Sequence, residues 1–184
     1  RNRAQVRFWL GEVAEALDDL DRILERHPDD AIAWHGRAIV FLHRGDPEAS
    51  IDSVNRALEI DPDFALAYCN RGRAHGRRGR REEAIADLDR ASGIDPDQAE
   101  YWTGRGIQYS ILAFEGASVR SDDIERAVAD LDRALTLAPH HLDARVNRGY
   151  LRHFLAEYDG AIDDLRYFLR STPDDAEAHY RIGQ

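Results

Sequence analysis

Apolar residues recur along the chain at spacings of three and four, as on one face of an amphipathic helix. The pattern is in register with five prolines: Pro28, Pro62, Pro96, Pro139 and Pro173. A large apolar residue stands eight positions before each proline (Leu20, Val54, Leu88, Leu131, Leu165), and a second stands eleven before it (Leu17, Ile51, Ile85, Val128, Ile162). Because proline cannot continue a helix and biases the residue before it away from helical geometry, each segment is predicted to be a helix that ends near its proline.

These segments are copies of one repeat. The prolines are separated by 34, 34, 43 and 34 residues, and a small residue stands twelve positions before each one (Ala16, Ser50, Ala84, Ala127, Ala161). Another helical stretch precedes each segment, and its early part also recurs, at residues 33–38, 67–72, 101–106 and 144–149. The unit is therefore predicted to be a hairpin of two helices that approach closely at the small residue.

The repeat resembles the tetratricopeptide repeat (TPR), which has a 34-residue period. The resemblance implies an all-α fold, a right-handed superhelical solenoid of antiparallel helix hairpins in which the first helices line a concave groove. We expect residues 1–184 to form a single solenoid of about four complete repeats between two partial ones. The partial ones are a first helix up to about Trp9 with its second helix, and a lone first helix from Ala176. One local departure is Arg145, which stands where the family has an early aromatic residue.

Nine extra residues between Tyr109 and Ala127 account for the 43-residue spacing. Residues 111–114 are predicted to extend the first helix by about a turn, residues 116–118 to form a loop, and Ser121 to cap the next helix. Two interpretations of the insertion at 110–121 stay open: a lip that contacts a partner beside the groove, or a loop expansion that the fold tolerates.

The composition narrows the class of protein. With 43% hydrophobic and 33% charged residues the chain is predicted to fold, and its formal charge of -10 argues against nucleic-acid binding. No apolar run is long enough for a membrane span, and the one cysteine, Cys69, favours a reducing compartment, here the cytoplasm. Since the chain begins at an arginine and has no methionine, we expect it to be part of a longer protein.

Charged residues recur at fixed places in the repeat. An arginine recurs in the first helices (Arg3, Arg37, Arg71, Arg105, Arg148), and an aspartate recurs in the second helices (Asp19, Asp87, Asp130, Asp164), with Ser53 as the exception. A pair that recurs with this regularity is predicted to hold the hairpins together and not to form an active site.

The groove residues are predicted from the family's geometry, which places positions two, five, six, nine and about thirteen of each first helix on the concave face. The candidate partner-binding residues are His35, Ile39, His43, Asn70, Arg73, Arg77, Thr103, Ile107, Asn147 and Tyr150. A run of six arginines over 71–81 suits an acidic partner, although these arginines could also pair with neighbouring carboxylates. The carboxylate clamp of chaperone-tail-binding TPR proteins is not expected, because Gly36 replaces a required asparagine and lysine is absent.

No metal, cofactor or catalytic site is predicted. His140 and His141 are adjacent and point to different sides of a helix, while His35 and His43 are about 12 Å apart by helical rise. No phosphate-binding loop or nucleophile motif is present. Trp34 and Trp102 are interpreted as core residues.

The sequence therefore predicts a scaffold that binds a peptide or protein partner in its concave groove and is not an enzyme. Two alternatives remain: a structural module that forms homo-oligomers through its terminal helices, and the regulatory arm of an enzyme whose catalytic domain lies outside this segment. The sequence does not identify the partner.

Overall fold

A computed structural model describes residues 2–183, in which every regular element is an α-helix. The helices are α1 (Asn2–Trp9), α2 (Val13–Arg26), α3 (Ala31–His43), α4 (Pro47–Ile60), α5 (Ala65–Arg77), α6 (Arg81–Ile94), α7 (Ala99–Phe114), α8 (Ser121–Leu137), α9 (Leu142–Phe154), α10 (Tyr158–Leu169) and α11 (Ala176–Ile182). The predicted all-α class, with four complete hairpins between a shortened one and a lone first helix, is confirmed.

The chain divides into two compact units, one up to Asp95 and one from Pro96. Unit 1 contains α1 to α6 and unit 2 contains α7 to α11. Within each unit the two helices of a hairpin pack against each other, and each second helix packs against the first helix of the next hairpin. Whether both units form the single solenoid expected from the sequence stays a prediction.

The small residue of each hairpin lies where its two helices meet. Ala16, Ser50, Ala84, Ala127 and Ala161 are all buried, as are the apolar residues four positions further on. The first helices contribute equally small residues at this crossing. At Gly106, for example, an added Cβ would lie 3.0 Å from Leu131 and 3.1 Å from the Ala127 carbonyl oxygen. The hairpins close this tightly because neither side has a bulky side chain at the crossing.

The predicted helix ends are close to those observed. Helices α2, α4, α6 and α8 each end two residues before their proline, and α10 ends four residues before Pro173. Aspartates cap three of the helix starts, and the Asp46 carboxylate accepts from the Ala49 N–H at 3.0 Å. The prediction for Ser121 was wrong by one position: Arg120 is the N-cap of α8 and makes no side-chain cap. The buried Asp123 instead pairs with Arg120, at 2.8 Å.

Arginine–carboxylate pairs join the hairpins, as the recurring residues predicted. Arg71 donates two hydrogen bonds to the Asp87 carboxylate of its own hairpin, at 2.8 and 2.7 Å, and a third to Asn55 of the preceding hairpin, at 2.7 Å. In unit 2, Arg148 makes the same pattern with Asp164 and Asp132. One guanidinium therefore ties its own hairpin to the one before it.

A second recurring bond was not predicted. The indole N–H groups of Trp34 and Trp102 donate to the carbonyls of Pro28 and Pro96, six residues earlier, both at 2.8 Å. Arg145, which departs from the aromatic pattern, donates to the Pro139 carbonyl at 2.8 and 3.0 Å. Arg145 thus keeps the hydrogen bond that joins the start of α9 to the proline turn before it.

The turn between α9 and α10 contains a strained residue. The turns of the three hairpins in unit 1 use Gly11, Gly45 and Gly79 at φ of 73 to 80°, but the corresponding position here is Ala156, at φ of 62°. We expect Ala156→Gly to raise the free energy of unfolding by about 0.5–1 kcal/mol, because relief of the left-handed strain exceeds the added chain entropy. Urea denaturation measures the change.

The same replacement in a helix supplies the control for this turn. Ala129→Gly, at an exposed position inside α8, should lower the free energy of unfolding by about 1 kcal/mol. If both variants were destabilised alike, the positive φ of Ala156 would carry no strain.

The insertion lengthens α7, as predicted, and then forms an irregular segment over 115–120. The extended helix ends at Phe114, whose ring meets Phe154 of α9 edge-on with centroids 5.0 Å apart. Both rings are about half exposed. The extension therefore brings an aromatic pair to the surface at the ends of two neighbouring first helices.

Candidate partner-binding surface

The first helices lie side by side in each unit. In unit 1, α3 packs directly against α5, and in unit 2, α9 packs against both α7 and α11. We call α1, α3 and α5 together the first-helix surface of unit 1.

Charge is divided by helix layer in unit 1. Helices α1, α3 and α5 carry two, one and three arginines and have no aspartate or glutamate. The second helices α2, α4 and α6 carry five, three and four acidic residues, against two, one and two arginines. The overall charge of -10 therefore hides first helices in unit 1 that carry arginines and no carboxylate.

Ion pairs connect several of these arginines to second helices. Arg3 and Arg7 pair with the buried Asp19, Arg37 pairs with Asp21, and Arg71 pairs with Asp87. Further along α5, Arg73 and Arg77 lie one helical turn apart and are both exposed. Arg77 also donates to the Leu42 carbonyl at the end of α3.

Two predicted groove residues in unit 1 bond to each other. Asn70 on α5 and His35 on α3 are only 9% and 8% exposed, and the amide nitrogen of Asn70 is 2.6 Å from Nε2 of His35. An amide can only donate from nitrogen, so this bond requires the neutral ring with an unprotonated Nε2. The Asn70 amide thus links two first helices, so binding of a partner by this amide would require the link to open.

Burial governs the charge state of His35. It lowers the pKa of His35 from 6.5 to about 4, and a hydrogen bond to the backbone of Leu66 opposes this shift only in part. The ring also packs against Phe64, with centroids 4.8 Å apart. His35 is therefore neutral at physiological pH and belongs to the packing between α3 and α5.

The remaining predicted residues of unit 1 are more accessible. Ile39 is half-buried, and His43, which is exposed, meets the ring of Phe8 edge-on at 5.1 Å. Arg73 and Arg77 lie further along α5, roughly 5 and 10 Å beyond Asn70 by helical rise. The accessible candidates thus fall into two groups, Ile39 and His43 on α3 and the cationic Arg73 and Arg77 on α5.

The predicted residues of unit 2 are mostly engaged within their own helices or with a neighbour. Thr103 is 3% exposed and its hydroxyl donates to the Ala99 carbonyl at 2.9 Å. The Asn147 amide donates to the Asp143 carbonyl at 2.7 Å, and Arg181 lies 4.8 Å over the ring of Tyr150. Ile107 is half-buried. As partner-binding residues these four remain a prediction.

A pocket between α1 and α3 was not predicted. It has a volume of about 250 Å³ and is lined mainly by apolar side chains, among them Phe8, Ile32 and Ile39. Trp9 stands at this pocket and is 73% exposed. Gly36 was a signal for this pocket in the sequence, because it is small at a position where the next repeat has Asn70.

The described part of the chain, residues 2–183, shows neither a metal cluster nor a membrane span. No group of three or more histidine, cysteine, aspartate or glutamate side chains in this range is placed to hold a metal ion. No helix in the same range is long and apolar enough to cross a membrane.

Three family models described as tetratricopeptide repeat match the sequence. They cover residues 1–63, 65–98 and 115–180, which together are most of the chain. A comparison with curated proteins gives no match.

Solved structures with the same fold are numerous. Pseudomonas aeruginosa pilF superposes with a TM-score of 0.84 at 21% identity, over 96% of this chain and 77% of that chain. TTC0263, a thermophilic TPR protein of Thermus thermophilus, gives 0.73 at 21% identity, over 99% and 94%. YrrB, a TPR protein with an unusual peptide-binding site, gives 0.73 at 18% identity, over 100% and 90%. With its repeat matches and its fold, the chain belongs to the tetratricopeptide repeat family.

Proposed function

We propose that the chain is a scaffold that binds a peptide or protein partner on its first helices and catalyses no reaction itself. Two observations support a binding role: the TPR fold, and the sorting of side chains on the first-helix surface of unit 1. Among the similar structures, YrrB is described as having a peptide-binding site. The fold suits such a role because adjacent repeats present a continuous surface for an extended ligand.

The partner segment that fits unit 1 is acidic. The observation that carries this is the absence of aspartate and glutamate from α1, α3 and α5, combined with the exposed Arg73 and Arg77 on α5. The acidic second helices would repel a polyanion that approached from their side. An acidic ligand is therefore directed to the first-helix layer.

Arg73 and Arg77 are proposed to contact the partner's carboxylates. Two guanidinium groups one turn apart can each form a forked pair of hydrogen bonds to a carboxylate. Because both side chains are exposed, the interaction is screened by salt, and each pair contributes only modestly. Affinity should therefore fall as salt rises.

The test is a double variant. We expect Arg73→Ala with Arg77→Ala to weaken binding of a fluorescent glutamate-rich peptide about tenfold at low salt and to flatten its salt dependence. Fluorescence anisotropy gives both quantities. Light scattering at the same protein concentrations separates this binding from self-association.

Arg22 and Arg26 provide the matched control. They are also exposed arginines one turn apart in unit 1, but they lie on the second helix α2. Replacing both with alanine removes the same charge and should leave peptide affinity within about twofold. Equal losses of peptide affinity in the two double variants would show that the effect comes from net charge. They would reject the first-helix surface as the binding site.

A further inference from the structure

The pocket between α1 and α3 is an apolar depression on an otherwise charged unit. Phe8 and Trp9 of α1 form one side, Ile32 and Ile39 of α3 form the other, and Leu20 of α2 lies at the floor. Trp9 and Ile32 are both more than half exposed. Large apolar side chains exposed around a concavity are typical of a surface that another molecule covers.

Gly36 lines the pocket and adds no side chain to it. A Cβ added at Gly36 would lie 3.2 Å from a methyl carbon of Leu20, so the glycine lets α3 pack closely against Leu20. One repeat later the corresponding residue is Asn70, whose side chain fills the space between α3 and α5 by bonding to His35. The space between neighbouring first helices is thus filled between α3 and α5 and open between α1 and α3.

Direct contacts connect the pocket to the arginines of α5. His35 both lines the pocket and bonds to Asn70, which precedes Arg73 by three residues. At the other end of α3, the ring of Phe8 contacts His43, and the neighbouring Leu42 accepts a hydrogen bond from Arg77. One short segment could therefore reach both features.

We propose that this pocket binds one aromatic or branched aliphatic side chain of the acidic segment, as the anchor of the complex. The inference rests on the proposed function and deepens it. The volume of about 250 Å³ accommodates one such side chain, and the α1 and α3 helices contribute no carboxylate that would repel the acidic residues beside it. Charge steers the segment to this face, and the anchor fixes its register.

The experiment compares two synthetic peptides on the intact 184-residue chain. Both are glutamate-rich, and they differ only in a central residue, tryptophan in one and serine in the other. Burial of the ring should make the tryptophan peptide bind about 30-fold more tightly in fluorescence anisotropy. Ile32→Ser should remove most of this preference, because Ile32 forms one wall of the pocket.

Ile60→Ser is the control, since Ile60 is an exposed apolar residue near the end of the second helix α4. It should leave the preference for the tryptophan peptide unchanged. Circular dichroism of both variants checks that the helices are intact.

Failure of the anchor and failure of the proposed function give different results. If both peptides bind equally well and the Arg73/Arg77 variant weakens both, the pocket is not the anchor site and the acidic-partner proposal stands. If the tryptophan preference depends on Ile32 but the Arg73/Arg77 variant binds both peptides as tightly as the parent chain, the pocket stands and the acidic-partner proposal fails. If neither peptide binds, both are rejected.

Discussion

Asp164→Asn is expected to lower the free energy of unfolding by about 3 kcal/mol. Asp164 is 1% exposed, on α10, and its carboxylate accepts hydrogen bonds from three arginines of α9. Arg148 contributes two bonds at 2.7 Å, while Arg145 and Arg152 contribute bonds at 3.1 and 3.0 Å. Asparagine keeps the volume and removes the charge that compensates these cations.

The size of the loss in unfolding free energy depends on the ion pairs that the arginines keep after the substitution. Removing one partner of a buried ion pair typically costs about 3–5 kcal/mol, since the other charge stays buried. Arg148 and Arg152 retain Asp132, at 2.6 and 3.6 Å, so the lower end of this range applies. We expect α9 and α10 to separate earlier in chemical denaturation than they do in the parent chain.

Asp163→Asn is the matched control for this prediction. Asp163 is the preceding residue of α10 and is exposed. The same change of charge there should alter the free energy of unfolding by no more than about 0.5 kcal/mol. If the two variants lost equal stability in urea denaturation, the effect would come from net charge and not from the buried arrangement around Asp164.

The second large effect is a loss of stability in acid caused by His35. Its pKa is about 4 in the folded chain against 6.5 for an unperturbed histidine, because burial disfavours the charged ring. Between these two values the unfolded chain binds a proton that the folded chain does not. Stability from this group is therefore complete above pH 6.5 and is lost as the pH falls toward 4, by about 3 kcal/mol in total.

A variant that lacks only the His35 ring isolates this contribution. His35→Gln keeps an acceptor for the Asn70 amide but cannot titrate, so its stability should fall less than that of the parent chain between pH 6.5 and 4. Urea denaturation at a series of pH values gives the difference. Parallel pH profiles for the two proteins would show that the His35 ring is not protonated on unfolding in this range.

The fold could be predicted from the sequence because its determinants are local and repeat. Each closing proline limits a helix, and the small residues mark where two helices cross, so Ala84 and Gly72 define a hairpin without any long-range information. The recurring arginine and aspartate likewise predicted their own contact. The carbonyl bond of Trp34 was missed, because a pattern of aromatic residues indicates a core position and does not show where the indole N–H points.

The candidate surface was harder to predict, because it depends on how side chains fill the spaces between repeats. Asn70 stands at a groove position in the repeat, yet its amide is engaged by His35 of the neighbouring helix. The pocket at Gly36 depends on an absent side chain and on Leu20 from another helix. Neither arrangement follows from the register of a single repeat.

The sorting of charge between layers could have been found in the sequence, but the total charge hid it. Once the first and second helices are assigned, α1, α3 and α5 are seen to lack acidic residues. A net charge of -10 averages over both layers, so only the arginine run over 71–81 indicated a basic surface.

The most direct test of the central claim is to map the bound glutamate-rich peptide by backbone amide chemical shifts. We predict that the shifts in unit 1 that change on titration belong to α1, α3 and α5, with Arg73 and Arg77 among the largest, and that α2, α4 and α6 change little. Changes concentrated on the second helices would contradict the assignment of the first helices as the partner-binding surface.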